Sequence, residues 1–115
     1  MGTRLTSFSV DYQIQELEEK ISTALKKKKA EIHREAIDFM YNSENWNVHE
    51  RLKITKKNDA NYIPRPAKEQ VYLSSEDEDK LNEMAEYNNC NKGIVFLHAL
   101  LIYCGYLAKS YDIKY

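Results

Sequence analysis

Residues 68–106 read KEQVYLSSEDEDKLNEMAEYNNCNKGIVFLHALLIYCGY, and this order of signals constrains the fold more than any other stretch. Gln70, Val71, Tyr72 and Leu73 alternate polar with apolar side chains, as a half-exposed strand requires. Ser74 or Ser75 then offers a helix cap, and Glu76, Asp77, Glu78 and Asp79 crowd the first turn, where negative charge suits the positive end of the helix dipole. Leu81, Met84 and Ala85 form an i, i+3, i+4 stripe that marks a buried face. The run from Asn88 to Gly93 stops that helix. From Ile94 onward apolar residues lie on nearly every side, so the next helix is expected at the centre of a core. Gly105 weakens such a helix by ~1 kcal/mol relative to alanine unless it lets a neighbouring helix approach closely, which is the role expected for it. A strand–helix–turn–helix unit of this size cannot bury its own core and needs a second unit to interlock with.

A second, more diverged unit is expected over residues 4–41. When Asp11 is matched with Ser74, Phe8 and Val10 fall on Val71 and Leu73 as inward strand residues. Ser7 and Ser9 then fall on Gln70 and Tyr72 as outward ones. Leu17, Ile21 and Leu25 supply one helical stripe, and Ile32, Ala36, Ile37 and Met40 another. The turn between them is Lys26, Lys27, Lys28 and Lys29, with no glycine or asparagine to mark it. A single helix over 12–41 is the competing reading, because lysine is a good helix former. The stripe counts against it: the spacing of 17, 21 and 25 requires an apolar residue at 28, where a lysine stands. Strand phase has an alternative too, since a one-residue slip places Arg4 and Thr6 outward and reverses the faces.

Residues 1–42 and 68–115 are thus read as two units joined by a polar segment at 43–67. Its 25 residues span up to ~80 Å when extended, ample to return the chain to the far side of a small domain. Trp46, Ile54, Tyr62 and Ile63 suit packing along a surface, with a short helical turn within 48–54. The fold class expected is α+β and predominantly helical: two fused units with a two-stranded antiparallel ribbon over four core helices.

Charge is distributed unevenly. Residues 1–66 hold 12 Lys/Arg against 10 Asp/Glu, and residues 67–115 hold 5 against 8. Neither half carries the basic excess that announces nucleic-acid binding by composition, so any such binding depends on local placement. Charged residues make up 30% and hydrophobic ones 43%, which speaks against a disordered chain. The apolar run at 94–107, broken by His98 and Gly105, is shorter than the roughly 18–20 residues of a membrane span. No apolar run follows Arg4 near the amino end, so a secretory signal is not expected, and Cys90 and Cys104 fit no metal or redox spacing. The expected setting is intracellular, with reduced thiols.

The second unit, VYLSSEDEDKLNEMAEYNNCNKGIVFLHALLIYCGYLAK, resembles the ribbon-helix-helix DNA-binding proteins of the Arc, MetJ and CopG type. RLTSFSVDYQIQELEEKISTAL is similar to a diverged member, and two copies in one chain resemble tandem regulators encoded by archaeal viruses. The resemblance implies a DNA-associated transcriptional regulator, most plausibly a repressor, whose paired strands lie in the major groove of double-stranded DNA. The base-reading positions it implies are Ser7, Ser9, Lys68, Gln70 and Tyr72. Backbone contacts at the second helix of each unit would come from Lys27, Lys28 and Lys29 in one and from Asn91, Lys92 and Gly93 in the other, with Arg4 alongside. No arginine stands on the second strand, a departure from the family. A homodimer or larger array on DNA fits the resemblance; a membrane or small-molecule partner does not.

Plainer readings stand beside these. The lysine run is as readily a solvated helix face as a phosphate clamp, and Tyr72 as readily meets a protein as a base. His33, His49 and His98 share no metal-ligand spacing, and His98 is expected as a packed core histidine. No phosphate loop, nucleophile elbow or His–carboxylate motif is present, so neither catalysis nor a cofactor or metal is expected. The rival functions are an antitoxin-like protein of the same fold that grips a partner, and a helical interaction protein that binds no DNA.

Overall fold

Alternation along two short segments builds the sheet. In β1 (Arg4–Val10) Phe8 and Val10 are buried while Leu5 and Ser7 are exposed. In β2 (Ala67–Leu73) Ala67, Glu69, Val71 and Leu73 are buried while Lys68, Gln70 and Tyr72 are exposed. The strands pair antiparallel, from Arg4 opposite Leu73 to Val10 opposite Ala67. The phase with Ser7 and Ser9 outward is therefore the one adopted, and Thr6 lies on the Phe8 side. The computed structural model describes residues 3–114; residues 1, 2 and 115, at the outer ends of the two expected units, lie outside the described chain.

Each strand leads into a helix pair: α1 (Tyr12–Leu25) and α2 (Lys29–Tyr41) after β1, then α3 (Ser75–Asn88) and α4 (Lys92–Ser110) after β2. The fold is α+β, with these four helices and one two-stranded antiparallel sheet among the described residues. Local chemistry sets the helix starts. The Asp11 carboxylate accepts from the Ile14 N–H at 2.7 Å, and Ser74 Oγ accepts from the Asp77 N–H at 3.1 Å. Asp77 returns a bond by accepting from the Ser74 N–H, completing a capping box. Lys28, at the start of α2, has no side-chain acceptor to offer; the Glu31 carboxylate instead accepts from its N–H at 3.1 Å.

The chain does break within the lysine run. Lys26 closes α1 in the left-handed conformation at φ 53°, the conformation Asn89 adopts to close α3, also at φ 53°. Asparagine tolerates that region better than lysine, so the second break is marked in the sequence and the first is not.

Every matched element recurs at one interval. β2, α3 and α4 begin 63 residues after β1, α1 and α2, and Asn89 follows Lys26 by the same 63. Ser7 and Gln70, also 63 apart, are paired at the centre of the sheet. Exchanging the two halves leaves the strand register unchanged.

α4 is the central core helix, packed against all three other helices and β1. Its length and apolar composition would suit a membrane span, but burial in the core accounts for them: Val95, Phe96, Leu97, Ala99, Leu100 and Cys104 are all inaccessible to solvent. The Phe96 ring meets Phe8 at 4.9 Å, beneath the ribbon.

Two positions differ from expectation. A side chain on Gly105 would meet nothing within 4 Å, so this glycine permits no close helix approach. His98 is half-buried at the surface rather than packed in the core, and its Nδ1 accepts a long 3.4 Å bond from the His49 N–H. The connecting segment lies over it, lowering its pKa by burial.

That segment is anchored by side chains without a clear pattern in sequence. Val48 and Leu52 are buried, Leu52 within a 3-10 turn at Glu50–Lys53. Asn88 holds the strap from the core side, accepting from the Val48 N–H at 2.9 Å and donating to the Trp46 and Met84 carbonyls. Trp46 stacks on Tyr41, and the Arg65 guanidinium donates to the Leu52 and Ile54 carbonyls at 2.7 and 3.2 Å.

Candidate nucleic-acid interface

The outward face of the ribbon carries three cross-strand pairs: Leu5 with Tyr72, Ser7 with Gln70, and Ser9 with Lys68. All five residues expected to read bases therefore share one face, joined by Leu5, which the sequence reading did not include. Leu5 and Tyr72 are about half exposed, an apolar end to an otherwise polar surface. At the other end the Lys68 ammonium donates to Ser9 Oγ at 2.9 Å. The Gln15 amide donates to the Lys68 carbonyl at 3.0 Å, tying this end of β2 to α1.

The expected phosphate contacts divide into occupied and open ones. Arg4 and Lys92, from opposite halves of the chain, converge on Glu78, with Lys92 at 2.9 Å. The Lys92 hydrogen bond, aided by the charge of Arg4, holds the Glu78 carboxyl below its ordinary range. Lys27 donates to Glu35 at 2.8 Å and Lys29 lies 3.3 Å from Glu19. Lys28 stands exposed between them. Asn91 uses its side chain to cap α4, accepting from the Ile94 N–H at 3.0 Å. Gly93 is closely packed: a β-carbon there would sit 3.2 Å from the Phe8 ring.

Where the outer edge of β1 meets the connecting segment and the start of α4, an open groove of about 750 Å³ runs beside the ribbon. Four cationic side chains line it: Lys57, Arg65, Lys68 and Lys92. Lys57 and Arg65 come from the connecting segment and were not expected at the site. Nothing in their local sequence indicates that the strap carries them beside β1.

Family models, curated proteins and solved structures yield no match to this chain.

Beneath the ribbon lies a polar cluster that sequence reasoning also missed. Glu18 from α1, His33 from α2 and Glu69 from β2 are all at least 96% buried. His33 Nε2 lies 2.8 Å from Glu18 Oε1 and 3.9 Å from Glu69 Oε2. Burial raises the pKa of Glu18. Burial, then the neighbouring Glu18, pushes Glu69 up to about 7, and burial lowers His33 to about 4. Glu18 Oε2, His33 Nδ1 and Glu69 Oε2 have no hydrogen-bond partner. A periodicity signal was present: Glu18 shares the face of Ile14, Leu17 and Ile21, and Glu69 shares the inward phase of Val71 and Leu73. Applying helical and strand periods to charged residues as well as apolar ones locates both.

Proposed function

We propose that this chain is a DNA-binding transcriptional regulator: two fused ribbon-helix-helix units that place the paired strands in the major groove. The reading is carried by the outward ribbon face, where Leu5, Ser7, Ser9, Lys68, Gln70 and Tyr72 stand together about the Ser7–Gln70 pair. A major groove admits a two-stranded ribbon and presents a distinct donor–acceptor pattern for each base pair. Gln70 suits adenine through its two-sided amide, Lys68 suits guanine, and the serines discriminate little. Leu5 and Tyr72 suit the methyl group of thymine. The halves match in backbone but not in these side chains, so the operator should be a two-fold site with unequal halves. Lys28 and the cationic groove supply backbone contacts, which position the protein and make affinity salt-dependent. Occlusion of a promoter is the simplest mode of action, because binding needs no reaction step. Double-stranded DNA is the partner, and copies of the chain can line up along it.

Selection from a pool of random duplexes, followed by gel-shift titration of the enriched sequences, tests this reading. A recovered motif of one dominant sequence is expected. Absence of binding to any duplex at low salt would sink the reading.

A further inference from the structure

We propose that Glu18, His33 and Glu69 form a buried site for one divalent transition-metal cation, with zinc as the matching ion. Three observations converge on it. The first is geometry: the candidate ligand atoms all lie within 4.8 Å of one another. His33 Nε2 stands 2.8 Å from one carboxylate and 3.9 Å from the other. Those values straddle the ~3.4 Å ligand-to-ligand edge of a tetrahedron with zinc bonds of about 2.0–2.2 Å.

The second is the unmet demand of the site. Each buried polar group costs stability unless it is partnered. Here each of the three side chains retains a buried nitrogen or oxygen without a hydrogen bond. A dication held by His33 Nε2, Glu18 Oε1 and Glu69 Oε2 would give the free Glu69 oxygen a partner and offset the carboxylate charge of the pair, which a neutral imidazole cannot do. One imidazole with two carboxylates favours zinc, manganese or ferrous iron over calcium and magnesium, which take all-oxygen shells.

The third is the internal comparison. The counterparts of Glu18 and His33 at the 63-residue interval are Leu81 and Phe96, both fully buried, and that of Glu69 is Thr6. The same architecture is thus built without charge at Leu81, Phe96 and Thr6 and with three converging ligands at the equivalent positions, two from the first half and one from the second. Packing alone requires none of these groups. A bound cation would tie β2 to α1 and α2 directly beneath Lys68 and Gln70, fixing the strand whose outer face is the candidate base reader. The site is enclosed, so loading accompanies folding or opening of the strand.

The test uses the full chain, stripped of metal by unfolding in chelator, freed of the chelator, and refolded in the presence of zinc chloride alone. Retained zinc is counted after exhaustive dialysis, thermal melts are recorded, and the His33 ring resonances are followed by NMR. One zinc per chain, a raised melting temperature and a shift confined to the His33 ring are expected. The Glu18→Gln/Glu69→Gln pair should weaken zinc binding by more than the roughly 10–100-fold that loss of even an outer-shell partner costs. The triple variant Glu18→Leu, His33→Phe, Glu69→Thr, which installs the residue found at each equivalent position, should fold and be indifferent to zinc. His98→Gln should retain binding, separating the buried site from the surface pair His49 and His98. No retained zinc in the refolded wild-type chain, or zinc retained with the His33 ring unperturbed, overturns the proposal whatever the variants do.

Discussion

Ser7 and Gln70 face each other across the ribbon and are also each other's counterparts in the two halves of the chain. A strand pair centred on equivalent residues is the arrangement that two copies of one unit adopt when they meet about a two-fold axis. In a single chain it frees each copy to diverge. Here Glu18 and His33 of the first half and Glu69 of the second are buried together, where their counterparts Leu81, Phe96 and Thr6 carry no charge. The outer face has diverged as well, with serines on β1 and longer polar or aromatic groups on β2.

Gln70 should contribute more to sequence discrimination than any serine of the face. Replacing it with alanine leaves the strand intact, because its side chain is exposed and the ladder is made by the backbone. Loss of a bidentate base contact costs about 1–3 kcal/mol against the preferred duplex and little against others. Anisotropy titrations of Gln70→Ala on cognate and scrambled duplexes at one salt concentration should therefore converge. Equal weakening on both would assign Gln70 to positioning instead of reading.

Two neighbouring lysines should behave differently. Lys28 is exposed, whereas Lys27 is held by Glu35 at 2.8 Å. Removing a phosphate contact lowers the slope of log affinity against log salt by ~0.9. Lys28→Ala is expected to show that flattening on every duplex with an unchanged melting temperature. Lys27→Ala should instead lower the melting temperature and leave the slope alone. The reverse pattern would identify Lys27 as the contact and its ion pair with Glu35 as incidental.

Much of the architecture was legible because periodicity and capping act locally. Alternation placed Phe8, Val10, Val71 and Leu73 inward, and the chain breaks within the lysine run where the stripe fails. What escaped notice depends on contacts between distant residues. Lys26 in the left-handed region follows from the helices it joins, since lysine has no preference for that conformation. Val48 and Leu52 are buried because Asn88 and Arg65 hold their backbone, which no short window of sequence reveals. On the candidate interface, the outward positions of the five expected readers follow from strand phase. The ion pairs of Arg4, Lys27, Lys29 and Lys92 depend on partners up to 74 residues away. Gly105 is a case where a reasonable rule failed: glycine in an apolar helix suggested close packing, and the position opens to solvent instead.

Glu35 should give stability a measurable acid limb. Its carboxylate accepts from Lys27 at 2.8 Å and from the Tyr103 hydroxyl at 2.6 Å, joining the helix break to α4. Partial burial pushes its pKa upward, but the hydrogen bonds from Lys27 and Tyr103 outweigh this and hold it below the ordinary 4.5. A depressed carboxyl contributes stability that is present above the unfolded value and is lost as pH falls through the folded one. Urea melts of Glu35→Gln should therefore show a deficit at pH 7 that closes progressively below pH 4.5. A deficit independent of pH would mean that shape, rather than charge, matters at this position.

The two α4 glycines should respond to alanine with opposite signs. Gly105 has ordinary negative φ, and a β-carbon there meets nothing within 4 Å, so alanine adds helix propensity at no steric cost. Gly105→Ala is expected to stabilise the chain by roughly 0.5–1 kcal/mol. Gly93 lies in the first turn of the same helix, where a β-carbon would come within 3.2 Å of the Phe8 ring and 3.3 Å of Asn91 Oδ1. Phe8 is itself buried and lies against Phe96 at 4.9 Å, so the ring has little room to retreat, and Asn91 is fixed as the helix cap. Overpacking of this kind costs ~1–3 kcal/mol and exceeds the gain in propensity. Gly93→Ala should therefore lower the urea midpoint while Gly105→Ala raises it, both with unchanged m-values. Because Phe8 lies in the β1 strand, Gly93→Ala should also loosen the ribbon, detectable as faster amide exchange at Phe8 and at its cross-strand partner Glu69. A stabilised Gly93→Ala would show that the ring can shift, and that the close contact between α4 and β1 does not depend on glycine.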